Sequence, residues 1–292
     1  MNKIGIHYAV WGNEWDVDMC ERIRLAAECG FDVLEVTPPS YMTELNEQKM
    51  KDLKRCADDN GIEMSYCIGL PQDYDMASED ETVRRCGIEY VCKILKAVQM
   101  MGGKILSGIL YSSWPYKFPT PMPDKEKTWD FALKSVRECV KYAENYGVIY
   151  AIELVNRFEQ FLLNSVDEGI KFVDAVDNPY CKLLLDTFHL GIEETSTPDA
   201  IRRAGGRLAH MHVCQNNREI PGPCDNVPWK KIGRALKDID YKGRVVLEPF
   251  LLQGGPVGKD INMWRNLVSD PSQESISNQL KEGLAFVKEI LQ

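Results

Sequence analysis

Eight times along this chain a short apolar run gives way to a longer stretch of helical periodicity. The apolar runs lie near 3–8, 33–37, 62–68, 104–110, 149–155, 182–186, 207–213 and 244–248. Helices are predicted near 16–29, 43–60, 80–101, 126–146, 165–177, 197–204, 228–238 and 273–291. Runs this short and this apolar read as strands buried on both faces, as in a parallel sheet. Glycine stands at the helix-to-strand turns (Gly30, Gly61, Gly102-Gly103, Gly147, Gly205-Gly206, Gly243), where a helix end needs a left-handed residue. Parallel crossovers are right-handed. Eight such units in 292 residues suit a closed α/β (β/α)₈ TIM barrel, read as one domain over 1–292. An open doubly wound sheet is the alternative.

The strand-to-helix connections, notably 111–125, 187–196, 214–227 and 249–272, are longer than the return turns. In a barrel they form the C-terminal mouth, where active sites assemble. Four polar residues close apolar runs at that same end. Glu153 follows Ala151-Ile152, Asp186 follows Leu183-Leu184-Leu185, His212 lies in His210-Met211-His212-Val213, and Glu248 follows Val245-Val246-Leu247. An unpaired carboxylate in a dry interior costs several kcal/mol or shifts its pKa. Four such polar groups on successive strands therefore point to a shared cation. Three carboxylates and an imidazole favour Mn²⁺, Mg²⁺ or Co²⁺ over a thiolate zinc site. Each residue alone could equally cap the next helix or bond a loop amide; the set is what carries the metal reading.

His189, three residues after Asp186, Glu159, six after Glu153, and Arg218, six after His212, would reach the mouth from the loops beyond the ligand strands. Glu159 and Arg218 read alternatively as solvated loop charges. His210 is expected to face away from His212. His7, Trp11, Trp15, Trp114-Pro115 and Phe250 offer apolar walls, or core packing.

Composition excludes some functions. Net charge is −9 with no basic stripe, so nucleic acid is not an expected partner. No apolar run approaches the roughly 18 residues of a membrane span. The ten cysteines form no Cys-x-x-Cys pair or zinc-ribbon spacing. Such unpatterned thiols, with no leader pattern at the N-terminus, suggest a cytoplasmic protein.

The strings Asn156-Arg157-Phe158-Glu159, Leu185-Asp186-Thr187-Phe188-His189, Val246-Leu247-Glu248-Pro249-Phe250 and Trp264-Arg265 together resemble the ketose 3-epimerases. These are the D-tagatose and D-psicose (allulose) 3-epimerases among the xylose-isomerase-like barrels. The likeness runs through Trp11–Trp15, Tyr111 with Trp114-Pro115, and Gly254-Gly255. It implies that Glu153, Asp186, His212 and Glu248 hold a divalent ion, Mn²⁺ first and Co²⁺ or Mg²⁺ as alternatives. It further implies that Glu153 and Glu248 exchange the C3 proton, and that Glu159, His189 and Arg218 hold the O1–O3 end of a ketohexose or ketopentose. A homodimer or homotetramer is implied too. Departures fall at His7, where relatives commonly have Tyr, at Cys214-Gln215, and at Cys67-Ile68-Gly69; these bear on the preferred sugar. Three rival readings stand beside this one: another metal-dependent sugar isomerase or lyase on the same barrel, a multi-zinc phosphodiesterase, and a non-catalytic sugar binder. Four histidines are few for a multi-zinc cluster.

Overall fold

The computed structural model describes residues 2–116 and 121–291. Eight strands run β1 (Ile4–His7), β2 (Val33–Val36), β3 (Glu63–Leu70), β4 (Ile105–Ser113), β5 (Ile149–Glu153), β6 (Cys181–Asp186), β7 (Leu208–Val213) and β8 (Arg244–Leu247). Each pairs in parallel with its neighbour in chain order, and β8 returns to β1 with Val246 opposite Gly5. Closure removes both sheet edges, so the open-sheet alternative is excluded. The outer helices are α1 (Met19–Cys29), α2 (Ser40–Thr43), α3 (Glu47–Asp59), α4 (Glu81–Met100), α5 (Lys125–Tyr146), α6 (Val166–Val176), α7 (Thr187–Glu193), α8 (Thr197–Ala204), α9 (Trp229–Asp238), α10 (Gly255–Asp260) and α11 (Gln273–Leu291).

Side chains alternate across each strand, which sorts the barrel into two compartments. Ile6, Leu34, Tyr66, Leu106, Ile152, Leu185 and Met211 belong to the main core, packed with the helices. Cys67, Ile105, Ala151 and Leu184 form a separate apolar cluster. Cys67, Ala151 and Leu184 each stand two residues from a polar group, Ser65, Glu153 and Asp186, on β3, β5 and β6, so this cluster and the polar groups share the inside of the barrel. β4 approaches β3 very closely at Gly108, whose φ is +116° and where a Cβ would lie 2.2 Å from the Ile68 carbonyl oxygen. Only glycine can stand there.

Several sequence expectations change in detail. Two short helices, α7 and α10, lie in stretches read as connections, and α2 is separate from α3 although the sequence reads one helix near 43–60. Residues 117–120 of the connection at 111–125 lie outside the described residues. Gly30, Gly61, Gly102, Gly147 and Gly205 do take positive φ. Gly243 does not: Asp240 (φ 52°) is the left-handed residue after α9, and a Cβ on Gly243 would instead meet the Ala209 carbonyl oxygen at 2.4 Å. The cysteines are not all unpaired. Cys20 on α1 and Cys56 on α3 are joined in a disulfide, with Cα atoms 6.0 Å apart across 36 residues. That pairing follows from packing α1 against α3 and leaves no local spacing to read. No described helix is long and apolar enough to cross a membrane.

Candidate active site

Strand ends bring the four proposed ligands together. One ligand atom from each of Glu153, Asp186, His212 and Glu248 lies within 4.8 Å of every other, and all four residues are buried. Asp186 divides its carboxylate between two tasks. Oδ1 accepts from the Phe188 backbone N–H at 2.9 Å, capping α7, while Oδ2 turns to the site. The helix-capping alternative is thus real for Oδ1, and it leaves Oδ2 toward the other three groups. His212 Nδ1 is buried without a hydrogen-bond partner and faces Glu248 Oε1 at 3.3 Å and Glu153 Oε1 at 3.7 Å. A ring nitrogen pressed toward two carboxylates requires positive charge between them, a proton on Nδ1 or a metal ion. The donor set therefore fits a hard divalent cation.

Electrostatics report the same need. Burial pushes the Glu153 carboxyl above the ordinary range, with His212 opposing. Burial acts the same way on Glu248, but His212 and Arg218 outweigh it and hold that carboxyl well below the usual range. For the His212 imidazole burial favours the neutral ring, yet Glu248 and Glu35 push it well above its usual value. To hold a cation, Nδ1 would have to be free of any proton, so cation binding at this group would be favoured as pH rises.

Arg218 departs from a pure substrate anchor. It sits at φ 68° in the loop after β7, 7% exposed, and is not a solvated loop charge. Nη1 donates to Asp186 Oδ2 at 2.6 Å and Glu248 Oε2 at 2.9 Å. Its guanidinium lies 4.0 Å over the Phe188 ring, and Nη2 is 3.3 Å from His189 Nε2. His189 rides on the first turn of α7, where its Nδ1 accepts from the Asn156 backbone N–H at 3.2 Å. Asn156 Nδ2 and Trp114 Nε1 donate to the two oxygens of Glu159 at 2.9 and 2.8 Å. Asn156 opens the Asn156-Arg157-Phe158-Glu159 string, and the sequence gives it no role of its own.

All six expected substrate residues, Glu159, His189, Arg218, His7, Trp114 and Phe250, line one cavity with Glu153 and Glu248 that opens to solvent. His7, Trp15 and Phe250 form an aromatic cluster in its lining, with His7–Phe250 and Trp15–Phe250 ring centroids 5.6 and 6.3 Å apart, and the Arg218 guanidinium lies 5.3 Å from the Phe250 ring centroid. Trp11 is not part of it; its indole donates to Ser277 Oγ at 3.0 Å on the outer side. Trp264 is 87% exposed.

Two residues deeper in the barrel correct the sequence reading. His210 does not face away from His212, because residues two apart on a strand share a face. Both rings reach one carboxylate: Glu35 Oε1 lies 2.6 Å from His212 Nε2, and Glu35 Oε2 lies 2.7 Å from His210 Nε2. The sequence reading misses Glu35, although a glutamate inside Val33-Leu34-Glu35-Val36 is a visible signal. Glu35, Cys67 and His212 also approach one another within 4.8 Å. Glu35 and His212 already satisfy each other there, and burial pushes the Cys67 thiol well up, so this trio is a poor cation site.

Comparison with known proteins identifies the family. Residues 23–267 match the xylose isomerase-like TIM barrel family. The chain is 38% identical over 290 residues to the D-psicose 3-epimerase of Ruminiclostridium cellulolyticum, covering 99% of this chain and 98% of that one. It is 35% identical to the D-psicose 3-epimerase of Agrobacterium fabrum, covering 99% of each. The chain belongs to the ketose 3-epimerases of the xylose isomerase-like barrels. The crystal structure of the D-psicose 3-epimerase from Clostridium cellulolyticum H10 with D-tagatose superposes with a TM-score of 0.94 at 37% identity, covering 99% of both chains. The resemblance read from the sequence is borne out over the whole chain, and with it the enzyme class, an isomerase.

Proposed function

We propose that this chain, acting as one domain over 1–292, epimerises a free ketose at C3, on pairs such as D-psicose/D-fructose or D-tagatose/D-sorbose, through a cis-enediolate. The observation that carries this is His212 Nδ1 facing the carboxylates of Glu153 and Glu248, which line a cavity together with Glu159, His189, Arg218 and the rings of His7, Trp15 and Phe250. Glu153, Asp186, His212 and Glu248 would hold a divalent ion, Mn²⁺ in our reading with Co²⁺ or Mg²⁺ as alternatives. When bound, that ion stabilises negative charge as it develops on the substrate oxygens.

The protein groups do the rest. The C3 hydrogen of a ketose is acidified by the adjacent C2 carbonyl but does not leave unaided. Inversion requires one base to take the proton from one face and a second group to return it to the other. Glu153 and Glu248 are the two carboxylates that line the cavity and belong to the ligand group. Glu159, clamped by Asn156 and Trp114, and His189, its Nδ1 engaged by Asn156 so that Nε2 is presented to the cavity, would orient the O1–O3 end. Arg218 lies against His189 and would complete that end. His7, Trp15 and Phe250 would pack on the distal carbons.

The experiment is a ketose panel assayed after chelator stripping, with Mn²⁺, Co²⁺ or Mg²⁺ added back and a C3-deuterated ketose as one substrate. Epimerisation washes the label into solvent and yields the C3 epimer. Retention of label, or an aldose product, defeats the proposal. We further infer a homo-oligomer, because Phe158 and Trp264, on loops at the C-terminal face, are 75% and 87% exposed and have the character of covered surface. Light scattering separates monomer, dimer and tetramer. Eight free thiols support a cytoplasmic enzyme, with the Cys20–Cys56 pair as the observation against it.

A further inference from the structure

Behind the active site, out of contact with the cavity, lies a polar cluster that the proposed reaction does not use. Glu35, Ser65 and His210 are fully buried inside the barrel, where aliphatic side chains would pack at lower cost. Glu35 accepts three hydrogen bonds: from His212 Nε2 at 2.6 Å, His210 Nε2 at 2.7 Å and Ser65 Oγ at 2.7 Å. An ionised carboxylate only accepts, so both ring Nε2 atoms must carry hydrogen. For His212 this has one consequence. The ring is pinned in rotation, and Nδ1, the nitrogen left without a hydrogen-bond partner, is the one aimed at Glu153 and Glu248.

We propose that Glu35 is the positioning residue of the metal centre: held in place by Ser65 and His210, it fixes the tautomer and orientation of His212 so that Nδ1 presents its lone pair to the ion. This rests on the reading that Glu153, Asp186, His212 and Glu248 are the ligands. Glu35 touches neither ion nor sugar; it acts only through His212. The anchors matter because a carboxylate free to rotate could bond the imidazole in several orientations. Two further donors on Oε2 leave Oε1 a single direction. Partners of this kind raise the basicity of a ligating imidazole and typically contribute about 10–100-fold to metal affinity.

The test is calorimetric titration of chelator-stripped protein with Mn²⁺, on wild type, Glu35→Gln and Ser65→Ala, with melting of the metal-free proteins alongside. In Glu35→Gln the side-chain amide keeps the shape of the carboxylate but can accept from only one ring, and its NH₂ must face the other. We expect wild type to bind one ion, Glu35→Gln to bind about 10–100-fold more weakly, and Ser65→Ala to weaken binding by a smaller factor. ¹⁵N spectra of labelled histidine with Mg²⁺ bound should show His212 protonated at Nε2 in wild type and redistributed between tautomers in Glu35→Gln. A merely structural role would lower the melting temperature of the metal-free variants and leave the Mn²⁺ dissociation constant and the tautomer unchanged; that result overturns the proposal. If Glu35→Gln fails to fold, Ser65→Ala decides on the same two readings. A wild type that binds no ion removes the four-ligand reading, and this proposal with it. A wild type that binds while both variants bind equally tightly removes this proposal alone.

Discussion

At Glu153 and Glu248 a single oxygen-to-nitrogen exchange separates two roles. Glutamine keeps a carbonyl oxygen that can face a cation but cannot carry the C3 proton at neutral pH. Glu153→Gln and Glu248→Gln should each lower kcat by about 10²–10⁴ while Mn²⁺ titration still detects binding. Near-normal turnover in either variant would remove that residue from the proton-transfer pair. Legibility at this scale follows chemistry on strand ends. Glu153, Asp186, His212 and Glu248 are readable because each charged side chain terminates an apolar run. His210 is misplaced by the sequence reading although period-two alternation is enough to pair it with His212. Glu35 escapes it because its partners, Ser65, His210 and His212, lie 30, 175 and 177 residues away. No local pattern encodes such a contact.

Elements show how the site is held. Ser165 and Glu168 form a capping box at the start of α6, which follows the β5 loop carrying Asn156 and Glu159. Burial alone would raise the Glu168 carboxyl, but Lys125 and the backbone N–H groups of Asn164 and Ser165 hold it below its ordinary value. A carboxyl lowered in the folded state contributes stability that is complete above its unfolded pKa and disappears as pH falls through the folded one. Glu168→Gln keeps an amide oxygen for the capping box but loses the charge facing Lys125, so it should cost about 0.5 kcal/mol at pH 7, and the gap to wild type should close below about pH 4, as read by denaturant melts across pH. A second element-scale expectation concerns β3 and β4. Gly108→Ala must place a methyl against the Ile68 carbonyl at positive φ. A loss of about 3 kcal/mol or more is expected; an unchanged urea midpoint would show that the strands can separate there. The sequence reading misses α7 as a helix because its N-cap, Asp186, reads first as a strand end.

For the molecule as a whole, one cation should join β5, β6, β7 and the segment after β8. Elemental analysis of reconstituted protein should find one divalent ion per chain, and three would revive the multi-zinc alternative. At about 100 times its Kd a folded-state ligand adds about 2.7 kcal/mol, so melting with Mn²⁺ should exceed melting with chelator by roughly 5 °C. An unchanged melting temperature would mean the four groups do not bind the ion. From sequence alone came the number of βα units, the mouth at which long loops gather, and the four strand-end residues that the fold brings together, because strand period, helix caps and burial of charge are properties of short segments. Only the tertiary structure decided the closure of β8 on β1, the Cys20–Cys56 pair, the seating of Arg218 on Asp186 and Glu248, and the bond from Glu35 to His212. Each of these joins groups distant in the chain, and such distances are set by packing a whole barrel.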